Sequence, residues 1–365
     1  MSVVETVRVS TPSRSYDVLV GSGILGEVGR VTRESCAGTR CCVVSDSNVA
    51  PLYADRAMCS LRDAGYAVTL RTFEAGEKNK RLATLSGILE GLAADGLSRD
   101  DCVVALGGGV TGDMAGLAAA LYLRGIRVVQ VPTSLLAMVD SSVGGKTAVD
   151  LEAGKNLCGA FFQPNAVIAD VDCLDTISRD LFTDSCGELI KHGVIADPEL
   201  FDLLASDPIN RRGYDRASLA RVIARNVRIK RDVVDADERE SGVRQTLNFG
   251  HTLGHAVEAA SDFSLGHGSS VACGMCCIAR ASHALGWCDA SVPARIEAAV
   301  TAYGLPVDTD LDHDVIFEYA THDKKRHGET MNVVVPRAIG EVEVRNVGWD
   351  TLRKIISAGC GTYAR

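Results

Sequence analysis

The chain has 365 residues, 46% apolar and 23% charged, with 38 Lys and Arg against 47 Asp and Glu for a formal charge of −9. This composition excludes a disordered chain, a collagen-like repeat and a small disulfide scaffold, and it offers no basic excess for nucleic acid or an anionic membrane. The length predicts two domains at roughly 150 residues each, and with no apolar run near the ~18 residues of a membrane helix and no signal-like N-terminus, a cytoplasmic chain is expected.

The first half alternates strand and helix patterns. Thr6 to Ser10 and Tyr16 to Val20 flank a Thr-Pro-Ser-Arg-Ser turn and read as a hairpin. Arg40 to Ser45 is a β-rich run ending at Asp46, and a helix follows near 48–64. Ala67 to Arg71 is a strand and 79–94 a helix. Asp101 to Leu106 has the length of a buried strand, 111–123 follows as a helix, and Val128 to Val131 is a strand stopped by Pro132. Ala166 to Asp170 is the last strand of this half. Alternating β and α elements predict a Rossmann-like α/β domain with a parallel sheet covered on both faces.

After residue 178 helical patterns dominate. Leu219, Val222, Ile223, Val227, Ile229 and Val233 recur near helical spacing, and Met331 to Val335 with Glu341 to Arg345 suggest a late hairpin. The reading is an α/β domain over 1–177 and a mostly α-helical domain over 178–365, with the active site expected in the cleft between them.

Gly107, Gly109 and Gly112 satisfy G-x-G-x-x-G between a strand and a helix. Glycines there let the backbone approach a pyrophosphate at the helix N-terminus. Asp46, ending an earlier strand, is the candidate for a ribose contact, or else a helix cap. Gly144-Gly-Lys-Thr147 resembles the end of a P-loop, but position 140, where its first glycine belongs, is Asp. What remains is a polar loop over Asp140 to Thr147, followed by Lys155-Asn156, suited to an anionic substrate. Cys273-Gly-Met-Cys276 fits C-x-x-C, but it lies in a helical run of small residues, where packing is the expected role.

Arg244, Asn248, His251 and His255 follow one another at helical spacing and share one face of an expected helix. Two histidines one turn apart can ligate a metal, and His267 opens the next helix. Glu188 and Lys191 share a face elsewhere. A carboxylate with two histidines is a common catalytic zinc set. Spacing alone does not choose the pair among His251, His255 and His267, nor single out Glu188.

Taken together these segments resemble the 3-dehydroquinate synthase family. The resemblance runs in order through Gly107-Gly-Gly-Val-Thr-Gly-Asp113, Arg124-Gly, Val131 to Thr147, Gly154-Lys-Asn156, Gly159-Ala-Phe161, Gln163-Pro164, Gly187-Glu-Leu-Ile-Lys191, Asp237-Glu-Arg-Glu240, Leu247-Asn-Phe-Gly-His-Thr-Leu-Gly-His255, His267-Gly268 and Asp323-Lys-Lys325. It implies NAD bound at Gly108, Gly109, Val110 and Asp113, with Asp46, Asn48, Glu77, Lys80, Thr133, Ser134, Lys155 and Thr176 near it. It assigns a divalent metal, usually zinc and alternatively cobalt, to Glu188, His251 and His267. It places Asp140, Lys146, Asn156, Lys191, Lys230, Arg244, Asn248, His255 and one of Lys324 or Lys325 around the substrate. In a family-like homodimer Arg124 would reach the neighbouring subunit's substrate. One departure is His267-Gly-Ser269-Ser270, where the family often reads His-Gly-Glu; this touches the setting of His267 and leaves the ligand set intact.

The resemblance further implies the reaction: 3-deoxy-D-arabino-heptulosonate 7-phosphate becomes 3-dehydroquinate and phosphate, in the shikimate pathway of aromatic amino acid biosynthesis. Transient oxidation at C5 acidifies the neighbouring C–H, phosphate is eliminated, the ketone is reduced back, and an intramolecular aldol step closes the ring. The alternatives are another sugar phosphate cyclase, a metal-dependent polyol or glycerol-phosphate dehydrogenase that releases NADH, and a non-catalytic NAD- or metal-binding regulator. The anion-binding groups Lys155, Asn156 and Arg244 favour the cyclase.

Overall fold

The computed structural model describes residues 5–211, 214–261, 264–321, 326–327 and 330–361. The chain forms two compact units, Met1–Ile177 with Asp215–Arg239, and Ser178–Tyr214 with Glu240–Arg365.

The first unit opens with the expected hairpin. Strands β1 (Glu5–Ser10) and β2 (Ser15–Gly21) pair antiparallel, turning Val7, Val9, Tyr16, Val18 and Val20 inward. Helix α1 (Val28–Ser35) leads to β3 (Arg40–Asp46), and then come α2 (Ala50–Asp63), β4 (Ala67–Phe73), α3 (Leu82–Ala94), β5 (Cys102–Gly107), α4 (Gly109–Leu121) and β6 (Arg127–Pro132). A hairpin of β7 (Lys146–Leu151) and β8 (Gly154–Phe161) precedes β9 (Ala166–Asp170). Seven strands form one sheet in the order β1-β2-β9-β6-β5-β3-β4, parallel except for β1 against β2.

The strand sequences explain the two covered faces. Successive side chains alternate across a sheet, so Cys41 and Val43 of β3 join α1 and α2 through Val28, Ala57 and Leu61. Cys42 and Val44 face the other way, toward Leu85, Ile88 and Leu92 of α3 and Met114 and Leu117 of α4. The chain runs from β3 to the edge strand β4, returns beside β3 as β5, and continues to β6 on the far side. The carboxyl ends of β3 and β5 therefore flank a topological switch point, where such sheets bind ligands.

The stretch read as a polar loop is more structured than expected. Ala137–Ser141 forms a π-helical turn, Gly144 (φ 92°) and Gly145 (φ 66°) reverse the chain, and β7 begins at Lys146. Its partner β8 carries two glycines and exposes Leu157 and Phe161, so it lacks the alternation that marks a half-buried strand. Helix α7 (Arg216–Ala236) packs with this unit. The Ser10 amide donates to Asp235 at 2.8 Å, and Arg228 pairs with Glu5 at 2.6 Å.

The second unit is mostly helical, as expected. It contains α5 (Arg179–Ala196), α6 (Pro198–Ser206), α8 (His251–Ala260), α9 (His267–Ala284), α10 (Ser291–Ala302), α11 (His313–Thr321) and α12 (Trp349–Gly359). A three-stranded antiparallel sheet of β10 (Arg326–His327), β11 (Thr330–Ala338) and β12 (Glu341–Gly348) includes the expected late hairpin. Helices α5 and α9 are its centre: every residue from Ser185 to Ile195 and from Ser270 to Ala279 is buried. Cys273 and Cys276 lie in that core, and all thirteen cysteines are free thiols. Among the described residues, no helix is long and apolar enough to cross a membrane.

Candidate functional site

In the first unit the glycine loop sits at the switch point. Two of its glycines have a steric reason: a Cβ on Gly107 would lie 2.5 Å from the Thr111 hydroxyl, and one on Gly112 would lie 2.9 Å from Gln130 Oε1. Gly108 precedes the first turn of α4, whose unpaired amides suit an anion. The Thr111 hydroxyl donates to Asp46 Oδ2 at 2.9 Å, while Asp46 Oδ1 accepts the Asn48 and Val49 amides at 2.9 and 3.1 Å. Asp46 thus caps the chain after β3 and ties it to α4 across the switch point. Thr133 is buried and its amide donates to Gly107 at 2.9 Å; Ser134 Oγ accepts the Ala137 amide at 3.4 Å.

A second polar group surrounds Lys80, which is 4% exposed. Its ammonium donates to Asp113 Oδ2 at 2.6 Å and to Asn156 Oδ1 at 2.5 Å. Burial pushes the Asp113 carboxyl up to about 6 against the pull of Lys80. Burial opposes the Lys80 charge, but Asp113 and Glu77 hold its pKa above the usual lysine value. Asn156 takes a left-handed conformation (φ 53°), and its amide donates to Asp150 at 2.7 Å. Lys230 of α7 is buried and donates to both the carboxylate (2.6 Å) and the backbone carbonyl of Asp140. Asn48, Glu77 and Lys146 are exposed, and Lys155 is half-buried beside Asn156. Thr176 follows β9, bonded to the Tyr53 hydroxyl at 2.7 Å. Arg124 is exposed in a left-handed turn (φ 67°). Lys324 and Lys325 lie outside the described residues.

The second unit brings three donors together. Glu188 Oε1 is 3.3 Å from His251 Nε2 and 3.1 Å from His267 Nε2, and the ligand atoms of all three residues lie within 4.8 Å of one another. Glycines allow this approach. A Cβ on Gly187 of α5 would lie 2.2 Å from the Gly268 carbonyl of α9, and one on Gly274 of α9 would lie 2.1 Å from the Gly250 carbonyl before α8. Glu188 is wholly buried and paired with Lys191, itself 1% exposed. Although burial opposes its charge, Lys191 holds the Glu188 carboxyl well below the usual range. Burial lowers His251 to about 3 despite Glu188, leaving it neutral. Burial also opposes charge on His267, but hydrogen bonds to Glu188 and Glu258 carry it up to about 10. A buried carboxylate and two imidazoles converging on one point fit a zinc-like ion.

The expected single helix through Arg244 and His255 is broken. Val243–Asn248 is a 3-10 turn, Gly250 takes φ 81°, and α8 starts at His251. A Cβ at Gly250 would meet the Val271 carbonyl at 2.6 Å; close packing on α9 overrode helical continuity. His251 and His255 still share a face, with ring centroids 5.1 Å apart. Arg244 is 1% exposed, and Asn248 donates to Glu240 at 2.7 Å. The reading of spacing overlooked two residues. Glu258 Oε2 lies 3.4 Å from His267 Nδ1, and Asp184 accepts the Gly268 and Ser269 amides at 3.1 and 2.8 Å. Glu258 was accessible in principle, being three residues after His255 on the same helical face. Asp184 was not, because it caps a helix 83 residues further along the chain.

The family model described as 3-dehydroquinate synthase N-terminal matches residues 70–184, and the C-terminal model matches 185–326. A 3-dehydroquinate synthase of Geobacter sp. (strain M21) is 44% identical over 340 residues, covering 93% of this chain and 94% of its own. A structure of 2-deoxy-scyllo-inosose synthase complexed with carbaglucose-6-phosphate, NAD+ and Co2+ superposes with a TM-score of 0.85 at 26% identity, covering 97% of this chain and 100% of its own. The 2-epi-5-epi-valiolone synthase of Streptomyces hygroscopicus subsp. jinggangensis 5008, with NAD+ and Zn2+ bound, also gives 0.85 at 26% identity, covering 95% and 97%.

Proposed function

The chain belongs to the 3-dehydroquinate synthase family and converts 3-deoxy-D-arabino-heptulosonate 7-phosphate to 3-dehydroquinate and phosphate; we propose which residues carry each part of that reaction. The enzyme is a redox-neutral lyase of aromatic amino acid biosynthesis that works with NAD and a divalent metal. The observation that supports the residue assignment most directly is the buried set Glu188, His251 and His267 with Lys191 against it.

When bound, NAD takes up and returns a hydride while the metal polarises the hydroxyl being oxidised. Glu188, His251 and His267 would hold zinc or cobalt. Gly108 precedes α4 and Gly109 and Val110 open it, and their amides would cradle the pyrophosphate. Asp113 and Lys80 would stand beside the rest of the cofactor, with Glu77, Thr133, Ser134, Lys155 and Thr176. Asp46 and Asn48 would meet the adenosine ribose; that Asp46 already caps its own loop and orients Thr111 suits a fixed acceptor.

Lys146, Lys191, Lys230 and Arg244 supply cations for the phosphate and carboxylate, the Arg244 fork matching a carboxylate. Asp140 holds Lys230 in place. Asn156, Asn248 and His255 donate hydrogen bonds to substrate oxygens. Once C5 is a ketone, the neighbouring C–H is acidic. The departing phosphate carries that proton away, and the side chains holding the phosphate set its direction. The resemblance also places one of Lys324 or Lys325 near the substrate. Arg124, exposed on a left-handed turn, would reach the second subunit of a cytoplasmic homodimer. A dehydrogenase releasing NADH, or a cyclase for another sugar phosphate, is not favoured.

The test is phosphate release from 3-deoxy-D-arabino-heptulosonate 7-phosphate by metal-loaded protein with catalytic NAD. Phosphate and 3-dehydroquinate should rise one-to-one without accumulating NADH. NADH formed from a simple polyol, with no phosphate released, would void the substrate assignments.

A further inference from the structure

The two histidines of the donor set are held in the same way from behind. His251 faces Glu188 with Nε2, and its Nδ1 lies 3.2 Å from the Phe249 carbonyl. His267 faces Glu188 with Nε2, and its Nδ1 lies 3.4 Å from Glu258 Oε2. An oxygen acceptor behind Nδ1 keeps the proton there and leaves the Nε2 lone pair for an ion. For His251 the acceptor is backbone. For His267 it is the side chain of Glu258, only 6% exposed. His267 is also the first residue of its helix, where no preceding turn fixes the ring. Asp184 holds the helix end from α5 through the Gly268 and Ser269 amides, and Glu258 holds the ring from α8.

We propose that Glu258 is a positioning residue of the metal centre, accepting the Nδ1–H of His267 so that Nε2 points at the ion. The proposal rests on the metal reading of Glu188, His251 and His267. Glu258 also belongs to a second donor group with His255 and His267. A ligand role there would need a deprotonated Nδ1 on His267 or a turned ring, and either would forfeit one of the two hydrogen bonds that ring now makes.

The experiment titrates metal-stripped full-length protein with Co2+, following visible d–d absorption and stoichiometry. Wild type should take up one equivalent. Glu258→Ala should still bind one equivalent, roughly ten- to a hundredfold more weakly and with a shifted spectrum. Glu258→Gln keeps an acceptor oxygen without the charge and should fall between them, roughly three- to tenfold weaker than wild type on the same scale. If the alanine variant does not fold, a glutamine variant with wild-type affinity and spectrum overturns the proposal. So does a Glu258→Ala variant with both unchanged, or a second wild-type equivalent that Glu258→Ala loses, since Glu258 would then be a ligand. Wild type that binds no Co2+ overturns the metal reading, and this proposal with it.

Discussion

At the scale of single residues, the site depends on charges held out of water. Asp113 shows this in a form that can be measured. Its carboxyl is raised from an ordinary 3.8 to about 6, because burial outweighs Lys80 at 2.6 Å. A raised folded-state pKa contributes stability that is present below the unfolded value and is lost as pH rises through the folded one. Asp113 therefore makes stability fall between about pH 4 and pH 6. Asp113→Asn should flatten the dependence of Tm on pH in that interval. An unchanged slope would show that the pair does not titrate as described. Lys80 does not confuse the result, because its raised pKa acts only in the alkaline range. Sequence spacing marked Asp113 as part of a glycine loop. It did not show Lys80 beside it, since the two are 33 residues apart and meet only through tertiary packing.

At the scale of elements, Glu188, His251 and His267 converge because three helices approach more closely than ordinary side chains allow. Gly187→Ala would place a methyl group 2.2 Å from the Gly268 carbonyl. Helices α5 and α9 would have to separate, moving Glu188 from His267. The expected result is a destabilisation of about 1–3 kcal/mol, as for overpacked cores, together with weaker Co2+ binding. Gly87→Ala is the control: it lies in α3 with nothing within 4 Å of the added methyl. It should stabilise by about 0.5–1 kcal/mol, as alanine does over glycine in a helix, and leave Co2+ binding alone. Equal metal affinity in both variants would refute the argument from close approach. The break before α8 belongs to the same scale. The polar spacing of Arg244, Asn248, His251 and His255 suits one helix, but Gly250 lies against the Val271 carbonyl and the chain turns there. Local periodicity reports which residues share a face. It does not report when a neighbouring helix will displace that face.

At the scale of the whole molecule, the proposed NAD and metal sites are built from different units. Ligands that bind only the folded protein stabilise it by mass action, about 2.7 kcal/mol at a hundredfold excess over Kd. Zinc should raise the thermal transition of metal-stripped protein, and His251→Ala should abolish that rise while leaving the stabilisation by NAD. Loss of both in that variant would show that the NAD and metal sites are not separable. The hairpin of β7 and β8 marks where the sequence was silent at this scale. Its strands expose Leu157 and Phe161 and carry glycines at Gly154 and Gly159, so no pattern of burial announced it.

The sequence by itself determined the alternating α/β order, the covered parallel sheet, the glycine loop between strand and helix, and the family. These are carried by local periodicity and by short motifs, and both survive without knowledge of distant contacts. Spacing left open which histidines face Glu188, and the resemblance named them; tertiary structure decided what stands behind each imidazole, and that Lys80 and Lys230 are buried against Asp113 and Asp140. Those outcomes depend on burial and on approach distances between segments far apart in the chain. Desolvation and close packing set them, and neither is written in the spacing of residues along one segment.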